Sequence, residues 1–175
     1  MAKAERRRRL SVPSDRRDGC ARPDRKHLRR LDRIYVPGAP VFFLSVCVRD
    51  RRSVLARPET ARIVSDALET SLDAHGWMVG RYVTMPDHMH FFATPIGDSA
   101  RSLSGFLRYW KSTTTKRMRA AGVAGFAWQR EFFDHLLRSK ESYRQKWDYV
   151  RLNPVRARLV SDPSEWPYQG EVHVI

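Results

Sequence analysis

Cysteine is scarce: two in 175 residues, Cys20 in a polar arm and Cys47 inside an apolar run, which excludes a disulfide framework and a four-cysteine zinc site. Cys47 reads as a small core residue. Long apolar runs are missing too. The longest, "VFFLSVCV" at 41–48, falls far short of the roughly 18 residues a membrane span needs. The opening "MAKAERRRRL" has neither a signal-peptide apolar region nor a lipidation motif, so the expected location is the cytoplasm, at the nucleoid, with no membrane partner. No G-x-x-x-x-G-K-[ST] loop occurs, which excludes P-loop ATP chemistry, and no acidic cluster suits a two-metal nuclease. Negative charge is in short supply: 33 Lys+Arg face 19 Asp+Glu, for a net charge of +14. That surplus points to a polyanionic partner, with nucleic acid leading.

The length allows one compact domain with a real core plus appendages. Residues 1–33 hold 13 Lys/Arg against 5 Asp/Glu and read as a basic, flexible arm, either solvated or tracking phosphates. The domain is expected over 34–168, with 169–175 as a C-terminal tail. A first strand is expected near 40–48. Pro58 opens a helix whose Ile63, Val64, Ala67, Leu68 and Leu72 share one face and which ends at Gly76. Segments 77–85 and 88–95 flank Pro86-Asp87, a turn pair, and read as adjacent antiparallel strands. A second long helix at 99–120, a strand at 132–138 and a third long helix at 140–153 complete the order. This succession predicts an α+β fold, a ferredoxin-like split βαβ antiparallel sheet with helices on one face.

Within "MPDHMHFFATP" (85–95), His88 and His90 stand two apart in a strand, so both project to one face and can share a divalent ion. Ordinary polar positions on a sheet give the same pattern. A zinc-type site would need a further protein ligand. On the third long helix Tyr143, Trp147 and Val150 form the apolar stripe, whereas Tyr149 and Asn153 lie one turn apart on a different face. Core packing does not explain Tyr149, and a tyrosine over an ion-binding histidine pair suggests a nucleophile. Asn153 followed by Pro154 equally fits an N-cap with proline at the first helical position.

Other residues carry two readings each. His135 is a structural hydrogen-bonding residue or a site residue, and Tyr143 is a core residue or a rival nucleophile. Asp87 reads as a turn residue and His75 as a histidine favoured by a helix C-terminus. The basic helix at 99–120 is a solvated face or a DNA-contacting one. In the second case Arg101, Arg108, Lys111, Lys116 and Arg117 would meet phosphates, beside Tyr109 and Trp110 as base-stacking aromatics.

Three stretches, "YVTMPDHMHFFATP", "WQREFFDHLLRSKESYRQKWDYVRLNPVRARLV" and "WPY" at 166–168, together resemble the HUH single-tyrosine transposases, most closely their REP-associated tyrosine transposase branch, over about residues 34–168. The resemblance implies a ferredoxin-like nuclease that nicks single-stranded DNA beside a hairpin and transfers the strand, working as a monomer or homodimer. By the same resemblance Tyr149 attacks the scissile phosphate and retains the 5′ end as a phosphotyrosine. His88, His90 and Asn153 are implied to hold Mg²⁺ or Mn²⁺, with Mn²⁺ favoured by the nitrogen ligands. Several relatives carry glutamine at the third-ligand position, where this chain has the shorter Asn153. The basic arm lies outside the shared pattern. A non-catalytic hairpin DNA- or RNA-binding protein on the same fold is the alternative that also explains the charge.

Overall fold

The structure, a computed structural model, describes residues 40–137 and 139–175. The basic arm at 1–33 and the expected domain start at 34 lie outside the described residues. Along the chain come β1 (Val41–Cys47), α1 (Pro58–Glu69), α2 (Ser71–His75), β2 (Trp77–Thr84), β3 (His88–Pro95), α3 (Leu103–Ala120), β4 (Phe133–Leu137), α4 (Lys140–Val150), α5 (Asn153–Arg156) and β5 (Gln169–Glu171). The sheet order is β4-β1-β3-β2-β5 with antiparallel neighbours, which realises the expected split βαβ arrangement.

Alternation along β1 and β3 sends side chains to two different environments. Leu44, Val46, Met89, Phe91 and Ala93 join Val64, Leu68, Leu103, Phe106, Leu107 and Trp110 in one core, the layer under α1 and α3. Phe43, Val83 and Phe92 join Leu137, Val150 and Trp166 in a second cluster on the opposite face, where Tyr143 and Trp147 of α4 pack. The helical layer expected on one face is that of α1 and α3, and α4 lies across the other.

Local chemistry sets the boundaries. The helix expected to run unbroken from Pro58 to Gly76 divides at Thr70 (φ −81°, ψ 0°), and Gly76 closes the second piece in the left-handed conformation at φ 69°, a region glycine enters at little cost. The long helix begins at Leu103 rather than 99, because Ser102 caps it by accepting from the Gly105 N–H. α4 ends at Val150, short of the expected 153. The expected C-terminal tail at 169–175 is part of the sheet: Gln169–Glu171 pair with the edge of β2, and Trp166 anchors the approach by donating its indole N–H to the Thr84 carbonyl at 3.0 Å. No helix among the described residues is long and apolar enough to cross a membrane.

Candidate active site

Pairing of β1 with β3 places Ser45 opposite His90 and Cys47 opposite His88, so all four side chains share the face that α4 crosses. The two imidazoles stand edge to face with ring centroids 4.8 Å apart. His90 is 4% exposed, its ring stacked on Phe43 at 5.4 Å and its Nδ1 2.6 Å from the Ser45 Oγ. Its Nε2 is buried without a hydrogen-bond partner. Burial, then the charges of His88, Lys146 and Arg51, hold its pKa well below the ordinary 6.5, so the ring is neutral at physiological pH. In the tautomer whose Nδ1–H donates to Ser45, Nε2 presents an unused lone pair.

His88 is oriented by a carboxylate. Its Nδ1 lies 2.6 Å from the Asp87 Oδ1, while the Asp87 Oδ2 accepts from the Arg51 Nε at 2.7 Å. The Arg51 Nη1 reaches the Cys47 Sγ at 3.0 Å. The short helical turn Arg49–Arg51 delivers this arginine, with Asp50 and Arg51 at positive φ (58° and 54°). Burial would raise the Asp87 carboxyl, but the hydrogen bond and charge of His88, with Arg51, outweigh it and lower its pKa. Asp87 is therefore more than the turn residue that the sequence suggested.

A carboxylate or hydroxyl on one ring nitrogen and an open second nitrogen is how metal-binding histidines are supported. The donors fit a divalent cation: two imidazole nitrogens, one of them the orphaned His90 Nε2. Among the described residues no third His, Cys, Asp or Glu joins the pair. A third protein ligand would have to be of another type, such as the Asn153 amide.

Asn153 is 7% exposed, and its Oδ1 accepts from the Arg156 Nη1 at 3.2 Å. It is not an N-cap, because Leu152 holds that position and Asn153 is itself the first residue of α5, with Pro154 behind it. Pro154 is tolerated there because the first turn of a helix leaves its N–H groups unbonded anyway.

Tyr149 leaves the apolar stripe of α4 and is 41% exposed. The Arg156 guanidinium sits 4.0 Å from its ring centroid and donates to its carbonyl at 2.7 Å. The Lys146 Nζ lies 5.9 Å from the Tyr149 ring and 4.9 Å from the Phe43 ring. Since Phe43 stacks on His90, Lys146 and Phe43 bridge the tyrosine to the histidine pair. Tyr143 is placed otherwise. Its hydroxyl is buried, its ring lies 4.5 Å from Phe92, and burial pushes its phenol above the ordinary value of 10.

The basic helix α3 covers the opposite face of the sheet from the histidines. Arg101, Arg108, Lys116 and Arg117 are exposed there, Arg101 lying 5.9 Å from the Tyr109 ring. Trp110 is 1% exposed and cannot stack a base. Lys111 has a different task from the expected phosphate contact: its ammonium donates to the Gln129, Arg130 and Glu131 carbonyls at 2.9, 3.2 and 3.1 Å, pinning the segment before β4. His75 is 7% exposed beside Tyr109 (ring centroids 4.2 Å), and burial, then Arg101, lower its pKa, against the charge-favouring terminus expected for it.

Sequence reasoning missed Ser45, Arg51, Lys146 and Arg156. Ser45 left a trace as the lone hydroxyl within "VFFLSVCV", but Arg51, Lys146 and Arg156 are ordinary members of a basic chain.

No family model matches the chain. A REP-associated tyrosine transposase of Escherichia coli K12 is 30% identical over 137 residues, which is 78% of each chain. A solved structure of a REP-associated tyrosine transposase bound to a REP hairpin superposes with a TM-score of 0.66 at 29% identity, covering 83% of this chain and 82% of that one. A crystal structure of a Deinococcus radiodurans R1 protein shares the fold at 21% identity, with a TM-score of 0.51 over 67% of this chain and 92% of its own.

Proposed function

The chain belongs to the REP-associated tyrosine transposase family, and from that premise we propose that it nicks single-stranded DNA beside a hairpin and transfers the cut strand through Tyr149. The Tyr149 phenol oxygen attacks the scissile phosphorus. The bond from phosphorus to the 3′ oxygen breaks, the phenol proton is lost to solvent, and the departing oxygen takes up a proton as a free 3′ hydroxyl. The 5′ phosphate stays on the tyrosine, and attack by another 3′ hydroxyl reverses the step without ATP.

The supporting observation is the buried, unpartnered His90 Nε2 beside His88, bridged to the exposed Tyr149 by Phe43 and Lys146. Mg²⁺ or Mn²⁺ held by His88 and His90, with Asn153 as third ligand, would supply Lewis-acid polarisation of the phosphate. Asp87 and Ser45 keep the two imidazoles oriented before DNA arrives. Lys146 and Arg156 bring positive charge beside the attacking residue, where the negatively charged phosphoryl group is held during transfer. Arg156 also holds the Tyr149 carbonyl and the Asn153 amide together, coupling nucleophile and third ligand across the turn between α4 and α5.

The test is a labelled hairpin oligonucleotide with single-stranded flanks, incubated with Mn²⁺ and run on a denaturing gel. Wild type and Tyr143→Phe form a covalent adduct and Tyr149→Phe does not. Tight hairpin binding by wild type with no adduct on any hairpin tried would overturn the nickase reading and leave a binding protein.

A further inference from the structure

β4 forms one edge of the sheet, and its register with β1 sets Phe133 opposite Ser45 and His135 opposite Phe43. Both residues therefore lie on the face that holds His88 and His90, beside the serine that orients His90 and the phenylalanine stacked on it. Phe133 is 38% exposed and His135 is exposed as well. Their even-numbered neighbours behave differently, since Phe132 and Leu136 pack into the core beneath α3.

A single exposed phenylalanine is unremarkable on a protein surface. Phe133 is not isolated, however. Its ring meets Phe43 edge-on at 6.3 Å, Phe43 stacks on His90 at 5.4 Å, and the Lys146 Nζ stands 4.9 Å from the Phe43 ring. An aromatic series thus runs from solvent to the imidazole with the open nitrogen, flanked by a cation.

We propose that Phe133 is a stacking platform for a base of single-stranded DNA adjoining the scissile phosphate, with His135 two residues along the same strand face bordering the next nucleotide. The proposal rests on the nickase reading for the place of that phosphate and extends it to a binding subsite. Every nucleobase offers a π-face, so such a contact tolerates any sequence and fixes position rather than identity. Lys146 adds the complementary charge for the backbone that carries the base. With one face against a base and an edge against Phe43, the ring would set how deeply the strand enters the site.

The test uses the full chain without added metal, so that no cleavage is needed, and an oligothymidine strand carrying one 5-iododeoxyuridine. Near-ultraviolet irradiation followed by peptide mass spectrometry is expected to place the cross-link on Phe133. Phe133→Ala is expected to weaken binding of the unmodified strand by roughly five- to a hundredfold, and Phe133→Tyr and Phe133→Trp to restore it. Phe133→Leu, which keeps apolar bulk without a π-face, is expected to bind as poorly as Phe133→Ala and to melt at the wild-type temperature. A cross-link confined to other elements, or wild-type affinity in Phe133→Leu, would overturn the platform. Because these readouts do not involve nicking, a chain that fails the adduct test can still pass this one, and the reverse also holds.

Discussion

The two faces of the sheet are built from the same strands and treat their residues differently. On the face under α1 and α3, Leu44, Val46, Met89 and Phe91 are each 0% exposed and meet other apolar side chains. On the face crossed by α4, the alternate positions are Phe43, Ser45, His88 and His90, almost as deeply buried, and the last three carry polar atoms that need partners. Burial without a partner is costly for a polar group, and the His90 Nε2 bears that cost. One face is therefore apolar at these positions, while the other sets a preorganised pair of imidazoles, at a cost in stability, beside its own apolar cluster of Phe43, Phe92, Val150 and Trp166.

That division can be broken experimentally. The largest effect is expected from His90→Ala, which should abolish adduct formation while leaving hairpin affinity within a few-fold, because affinity resides mainly in phosphate contacts. Gel and anisotropy measurements on one preparation decide it, and an equal loss of both would make His90 a structural residue. On the opposite face, Leu44→Ala should cost about 2–5 kcal/mol by urea denaturation and leave the adduct yield per folded molecule unchanged. A selective loss of activity there would blur the distinction between the faces.

Smaller effects sharpen the same contrast. Asp87→Ala should weaken Mn²⁺ binding by about 10- to 100-fold in a titration without DNA, through the lost orientation of His88. The smallest effect is expected at α3, which lies across the sheet from the histidines. If its exposed cations meet DNA, Arg108→Ala with Lys116→Ala should lower the salt dependence of binding by roughly one ion per substitution without changing the nicking position. An unchanged slope would make α3 a solvated face.

Much of this was legible in the chain. Richness in β-branched and aromatic residues located β1, the Pro86-Asp87 turn pair located β2 and β3, and the two-residue spacing of the histidines required a common face. Helical periodicity separated Tyr149 from the stripe of Tyr143, Trp147 and Val150. What stayed hidden were partners far apart in sequence. Ser45 and His90 are separated by 45 positions, and only the register of β1 on β3 makes them neighbours. Arg51 reaches Asp87 through a turn with positive φ at non-glycine residues, which composition does not announce. Lys111 looked like any cation of a basic helix until the carbonyls of the segment before β4 closed around it.

The chain by itself determined the periodicities, the shortage of negative charge and the order of chemical groups, since these depend on local covalent geometry and composition. Tertiary structure decided which nitrogen of His90 remains open, which cations approach Tyr149, and on which side of the sheet the basic helix lies. Those outcomes depend on strand register and on desolvation, which arise only when segments distant in sequence exclude water from one another.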